Sequence, residues 1–424
     1  MSLADVPLLF VLAGLVFYIV LAGADFGAAI WQVTAPHDQD GERLRDLAHD
    51  VMAPVWEANH VWLIFVLTVT WTAYPAAFGS LASTLAIALS VAAFGIIGRG
   101  AAYALSSGTS DPREVRRIDQ ASALSSVLAP FALGACVGAL ASGRVPYGNA
   151  RGDLWSSWLN PTSITVGVLA VVFSAYLAAV YLSADAVRRG RDDLVEPFRR
   201  RALGAGTLAG VLAVAGLFVL HEDAHALYDD LVFGEGLPAL IVSVLAGGLT
   251  LTLVARRRFE PARYTAALAV TAIVAGWALA QQPQFLPGLT IDQAAAPRDT
   301  LWAVIVAVVG GAIILFPSLA LLLRLTLGGS LGEGHHEGGP SAEEDQPASA
   351  RTLLPVDPAL AGRVAAACLV GGLGLLTAAE SGWAHAIGVV ALFGFIVSGF
   401  LAVVPALLTG DADEPDTAAT RSPT

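Results

Sequence analysis

VMAPVWEANHVWL, residues 51–63, runs without a break into IFVLTVTWTAYP, residues 64–75, setting Glu57, Asn59 and His60 between Trp56 and Trp62 at the mouth of an apolar segment. The segment is long enough to cross a bilayer as a helix. A charged side chain near the bilayer centre costs roughly 2.5–3.5 kcal/mol on insertion scales, so an acid placed there has a partner or a task. Asp25, inside the preceding apolar run, poses the same question. Together the two carboxylates point to charge or proton handling inside a membrane.

Composition names the solvent. Of 424 residues, 56% are hydrophobic and 14% charged, and the mean hydropathy is +0.67; ordinary soluble domains carry about 25% charged residues. The chain is therefore expected to be a polytopic, all-α membrane protein. Apolar runs recur almost to the end, so the first one reads as a retained helix and not as a cleaved leader. Cys136 and Cys368 sit in separate apolar runs, which excludes a disulfide framework or paired-cysteine metal motif. The net charge of −12 comes largely from acids in a linker, a tail and arginine-free loops, and it argues for no nucleic-acid partner.

A window of about 19 residues gives expected spans near 7–33, 51–75, 79–103, 119–142, 162–184, 202–220, 237–255, 262–281 and 300–324, then 360–378 and 384–408. Pro75, Pro161, Pro297 and Pro287-Gly288 fall at or between span ends, where helix breakers belong, whereas Pro317 falls within a span and predicts a kink. The stretch GGSLGEGHHEGGPSAEEDQPASARTLLPVD, residues 328–357, is too polar to fold alone and reads as a linker. Its His335-His336 pair fits a solvated linker better than a metal site. The expected organisation is a nine-helix body over 1–327, a polar linker over 328–358, two additional helices over 359–409 and a disordered tail over 410–424.

Arginines set the orientation, because basic residues in short loops stay cytoplasmic. Arg113, Arg116 and Arg117 follow the third span; Arg188, Arg189, Arg191, Arg199, Arg200 and Arg201 follow the fifth; Arg256, Arg257, Arg258 and Arg263 follow the seventh. The intervening loops hold few arginines, and HEDAHALYDDLVFGEG after the sixth span holds none. The amino terminus is expected outside. On that topology Asp25 lies roughly 12 Å and Glu57 roughly 9 Å from the cytoplasmic end of their helices, at 1.5 Å per residue. Arg99, in GIIGRGAAY, reaches a similar depth on the third span.

Two carboxylates and one guanidinium at one depth form a candidate buried cluster, in which burial and the arginine act oppositely on proton affinity. Each residue also has a plainer reading. Arg99 can snorkel to headgroups, and Asp25, between Gly23 and Gly27, can serve as interhelical polar glue. Asn59 and His60 suit interhelical hydrogen bonding, His60 as a haem ligand being the lesser reading. Trp56 and Trp62 suit interface anchoring or packing as well as cofactor contact.

The elements GADFG (23–27) and WEANHVW (56–62) match a G-x-D-x-G element followed by a W-[DE]-x-N-x-V-W element, and GIIGRG, NPTSITVGVLAV and FLPGLTIDQAAAPRDTL follow in order. In this the chain resembles subunit II of the cytochrome bd-type quinol oxidases over roughly residues 1–330. Ala22 stands where some members have a second acid, and Glu57 where many have Asp. The resemblance implies a bacterial cell-membrane respiratory subunit with no catalytic residue or metal of its own. It implies a haem-bearing subunit I as partner within the lipid bilayer, carrying haem b with or without haem d, and quinol as substrate. By motif position Asp25 and Glu57 would be proton-path residues and Arg99 a charge-balancing one. The last two helices lie outside the common pattern and leave room for a small accessory subunit.

Two other classes share these features. A proton-coupled secondary transporter would place acids near a broken helix, yet here they fall only in the first third of the chain, with no matching pair later. A purely structural partner of another redox complex would make them helix glue. The topology is open to direct test: a reporter fused within residues 185–201 is expected on the cytoplasmic side and one near Asp229 outside, and both on one side would overturn the span count.

Overall fold

In lipid, backbone polar groups must be satisfied within a segment, so apolar runs of this length can only be helices. The computed structural model describes residues 2–36, 38–52, 56–106, 112–327 and 358–378, with 384, 387–388, 390–395 and 397–398 beyond. In chain order the elements are α1 (Asp5–Val33), α2 (Gln39–Met52), α3 (Trp56–Ala73), α4 (Pro75–Thr84), α5 (Ala86–Ser106), α6 (Pro112–Ala141), α7 (Pro161–Arg188) and α8 (Asp192–Asp223). They continue as α9 (His225–Val232), α10 (Leu237–Ala255), α11 (Phe259–Gln281), β1 (Gln284–Leu286), β2 (Leu289–Thr290), α12 (Ile291–Ala294), α13 (Arg298–Leu327) and α14 (Pro358–Ala378). Among the described residues, 7 helices are long and apolar enough to cross a membrane, or 8 if the bent pair α4–α5 is one span. The protein is an all-α, multi-pass membrane protein.

Two compact units divide the chain, Met1–Gly332 and Glu333–Thr424. In the first, α7 is central and packs against α1, α6 and α8, while α5 pairs with α6, α10 with α11, and α3 with α1. In the second, α14 meets the helical residues 390–395, with Gly394 against Cys368 and Gly372 against Leu392.

Close approach is the rule in the first unit. A Cβ added at Gly27 would overlap the carbonyl of Ser174 on α7; one at Gly138 would come within 2.5 Å of Ser163 Cα, and one at Gly134 within 3.0 Å of Gly167 Cα. Small residues spaced four apart let backbones touch, which is how helices associate in a medium offering no hydrophobic drive between them. Local signals fix the helix starts. Asn160 accepts a hydrogen bond from Ser163 N at 3.0 Å ahead of Pro161, capping α7, and Thr290 with Gln293 forms a capping box on α12.

Several elements depart from the sequence reading. The expected straight span at 79–103 is broken at Leu85, where α4 and α5 meet at 80°. No proline or glycine sits at the break. Instead Ser80 and Ser83 accept hydrogen bonds from Gly148 N at 2.9 Å and Ala150 N at 2.8 Å, anchoring the α6–α7 connection on α4. Helix α8 starts at Asp192 and α6 at Pro112, so Arg199, Arg200, Arg201 and Arg117 lie on helices and not in loops. The segment after α1 contains α2, whose Leu44, Leu47 and Ala48 are buried against the core with Tyr176 and Leu177. Pro287-Gly288 is the turn of a small hairpin, with Gly288 at φ 76°, as the third position of a type II turn requires. The expected linker over 328–358 lies outside the described residues except for Pro358, which opens α14, and the expected tail over 410–424 lies outside them too, as does most of the last expected span.

The α1–α7 contact yields a prediction. Gly27→Ala puts a methyl group into backbone, which cannot move as a flexible side chain would, and should destabilise the folded protein by about 3 kcal/mol; thermal unfolding of the purified protein in detergent measures it, with Gly204→Ala, whose methyl meets no atom of the described residues within 4 Å, as the comparison that should not destabilise.

Candidate functional site

Residues two apart on a helix face opposite ways, so in GADFG the glycines turn to α7 and Asp25 turns away from it. Asp25 is 1% exposed and Arg99, from α5, 11%. The two form a bidentate pair: Arg99 Nη2 donates to Asp25 Oδ1 at 2.6 Å and Nε to Oδ2 at 3.0 Å. Nη2 also reaches the Asp25 carbonyl at 3.2 Å, and Nη1 donates to Ser122 Oγ of α6 at 3.1 Å. The guanidinium thus ties three helices together and does not snorkel. A planar fork matched to a carboxylate gives shorter and stronger hydrogen bonds than neutral groups do.

Helix α3 lies antiparallel to this part of α1. A Cβ at Gly14 would meet Phe65 at 2.7 Å, and Asn59 Nδ2 donates to the Leu21 carbonyl at 3.3 Å. The same register carries the backbone of Glu57 to the level of Gly23–Asp25. The side chains of Glu57 and Trp56 lie outside the described residues. Asn59 is fully buried. The His60 ring lies edge-on to Tyr18 at 6.2 Å and to Phe26 at 6.3 Å between centroids. Trp62 stacks on Phe17 at 4.5 Å, so it is a packing residue between α1 and α3.

Asp25 and Arg99 are therefore in direct contact, Asn59 and His60 lie on the same side of α1, and Trp62 belongs to the packing around them. Tyr18 and Ser122 join them without having been singled out from the sequence. Tyr18 was legible, since it precedes Asp25 by two helical turns and shares its face. Ser122 is one of several small polar residues on α6 and carries no distinguishing signal. Tyr18 Oη and Asn59 Oδ1 are buried with no hydrogen-bond partner among the described residues. Such buried polar atoms are uncommon in folded proteins. Among the described residues no group of three or more His, Cys, Asp or Glu is placed to hold a metal ion.

The ends of the bundle are polar in different ways. At one end Asp185 pairs with Arg188 and, at 3.5 Å, with Arg263, while Glu196 takes Arg199 at 3.0 Å, Arg200 at 3.2 Å and Arg257 at 3.0 Å. The arginine-rich turns after α7 and α10 thereby share one face, which α2 joins through Arg43 and Asp193 at 3.7 Å. At the other end Asp223 accepts from Arg144 at 2.7 Å and from Thr162 Oγ1 at 2.7 Å, and Ser2 Oγ donates to Asp292 at 2.8 Å.

Residues 3–326 match the family described as cytochrome bd terminal oxidase subunit II. The chain is similar to the Bacillus subtilis (strain 168) protein named "Putative cytochrome bd menaquinol oxidase subunit II", with 22% identity over 239 residues, 55% of this chain and 68% of that one. It is also similar to a chain in the structure of bd oxidase from Geobacillus thermodenitrificans, with a TM-score of 0.62 and 26% identity over 77% of this chain and 99% of that chain.

Removing one partner of a buried pair strands the other charge, which costs about 3–5 kcal/mol, whereas removing both costs far less. Asp25→Asn and Arg99→Gln should each lower folded yield and thermal stability, and the double variant should recover most of the loss. Additive losses in the double variant would show that the pair contributes no coupling.

Proposed function

The chain belongs to the cytochrome bd terminal oxidase subunit II family, and on that premise we propose that it is the non-haem-bearing subunit of a respiratory quinol oxidase complex and contributes a proton route from the cytoplasm to its partner. The partner is a haem-bearing subunit I, whose haem b, with or without haem d, supplies electron transfer and O2 binding when present. The surroundings of His60 fit an axial ligand poorly, because the rings of Tyr18 and Phe26 crowd its imidazole edge-on. The amino terminus is placed outside and the arginine-rich end of the bundle in the cytoplasm, on the arginine bias. Residues 328–424, beyond the family match, are assigned to an appendix that the reaction does not need.

One observation carries the proton route: a buried carboxylate–guanidinium pair at membrane depth beside a helix that carries a second acid at the same level. Asp25 and Arg99 balance each other's charge and engage both carboxylate oxygens. That leaves Glu57 as the exchangeable acid, with Asp25 and Arg99 fixing the field around it. Tyr18 Oη and Asn59 Oδ1 offer hydrogen-bonding positions along the same side of α1. A relay needs such groups within reach of one another or of a shared water.

The complex purified gently should show haem absorption and quinol-dependent O2 consumption, and this chain expressed alone should hold no stoichiometric haem. Glu57→Gln keeps size and hydrogen bonding but removes the titratable group, so O2 consumption per haem-loaded complex should fall at least about tenfold, with Glu57→Asp falling less. Undiminished turnover and proton uptake in Glu57→Gln across pH 6 to 9, a range of about three units around neutrality, would sink the proton route while leaving the subunit assignment standing.

A further inference from the structure

A cavity of about 390 Å³ opens on the side of α1 away from Asp25, between α1, α7 and α8. Its wall is apolar, formed by Ile30, Trp31, Val171, Ala175, Gly204 and Leu208, and Arg201 stands among them. The volume falls in the range of ligand sites, which run from about 300 to 1,000 Å³. The Arg201 guanidinium carbon lies 5.5 Å from the centroid of Trp31 and 5.7 Å from that of Phe198. Trp31 is itself pinned, its Nε1 donating to the Ala175 carbonyl at 2.7 Å.

Arg201 differs from its neighbours in charge balance. Arg188, Arg191, Arg199, Arg200, Arg257 and Arg263 are each paired with an acid. Arg189, Arg256 and Arg258 have no such partner among the described residues but sit in exposed turns, where water serves them. Arg201 is half-buried on a helix and makes no ion pair with an acid among the described residues. Trp31 is in the last turn of α1, so the guanidinium lies at the level where a tryptophan belt and lipid headgroups meet. From the groove an apolar stripe continues along α8 through Leu208, Val211, Val214 and Phe218, exposed at 49%, 61%, 57% and 72%. Among the described residues no acid lines the groove to receive the amine of a choline or ethanolamine headgroup.

We propose that this groove is a binding site for one anionic phospholipid, its phosphate held by Arg201, one acyl chain in the cavity and the other along α8. The site is independent of the proton route and requires only that the chain spans a membrane. A guanidinium that merely snorkels would accept any headgroup, so selectivity for net negative charge is the property that identifies a site.

The test uses the oxidase complex in nanodiscs of phosphatidylcholine doped with phosphatidylglycerol, reading retained lipid per complex by native mass spectrometry after detergent exchange. Wild type should retain phosphatidylglycerol in preference to phosphatidylcholine. Arg201→Gln should cut that preference about tenfold, the loss expected of one charge-assisted contact. Gly204→Leu fills the groove from a position where an added Cβ meets no atom of the described residues within 4 Å, and should cut retention while leaving Arg201 in place. Arg256→Gln, in an exposed turn, should change nothing. Equal retention of both lipids by wild type, undiminished preference in Arg201→Gln, or undiminished phosphatidylglycerol retention in Gly204→Leu would overturn the proposal. So would a neutral quinone, and not phosphatidylglycerol, being the molecule whose retention those two variants reduce.

Discussion

Everything near the charge pair depends on how closely α1 and α7 approach. At Gly27 the two backbones are so near that no Cβ fits, and Gly23, one turn earlier, has Ser174 and Leu177 at contact distance. In hydrocarbon no hydrophobic force draws helices together, so dispersion across a surface of small residues has to do it. Once Gly23 and Gly27 face α7, helical geometry sends Asp25 to the opposite side. The G-x-D-x-G element is thus a single device: its glycines seat the helix, and the seating aims the carboxylate.

A carboxylate aimed into a helix bundle must be matched there or it will not fold. Arg99 matches it with two parallel hydrogen bonds, and Ser122 takes a further guanidinium nitrogen. Buried pairs of this kind add little net stability, because desolvation offsets most of the attraction. Their effect is on specificity. An α5 displaced by one turn would strand both charges, so the pair selects the register of α1, α5 and α6 even where their apolar surfaces would tolerate a shift.

The spans were legible because hydropathy reports the solvent directly, and α1, α7, α10, α11 and α13 overlap the runs that hydropathy marks. Helix ends were less legible. Helices α6 and α8 continue past the apolar zone through arginine-bearing segments, which a membrane window assigns to loops. The bend between α4 and α5 has no breaker residue to announce it. Its only trace is the polar set Ser80, Ser83 and Thr84 inside an apolar run, and those serines hold a distant loop. Helix α2 did carry a signal in Leu44, Leu47 and Ala48, spaced for one helical face, which the high charge of its neighbours obscured. The pairing of Asp25 with Arg99 could be anticipated from depth alone, since side chains on neighbouring spans can meet only at equal depth. Azimuth could not, which is why Ser122 had no sequence signal and Trp62 stayed divided between packing and cofactor contact.

Azimuth also separates the two sides of α1. Gly14, Tyr18, Leu21 and Asp25 face α3 and α5, where Asn59, His60 and Arg99 supply polar atoms. Gly23 and Gly27 face α7, and Ile30 faces the groove between α1, α7 and α8, whose lining is apolar save for Arg201. A seam too tight for a methyl group is also too tight for water. The proton route proposed along α1 would therefore be confined to the α3 and α5 side, and the amphiphile proposed at Arg201 would contact the same helix without entering that path.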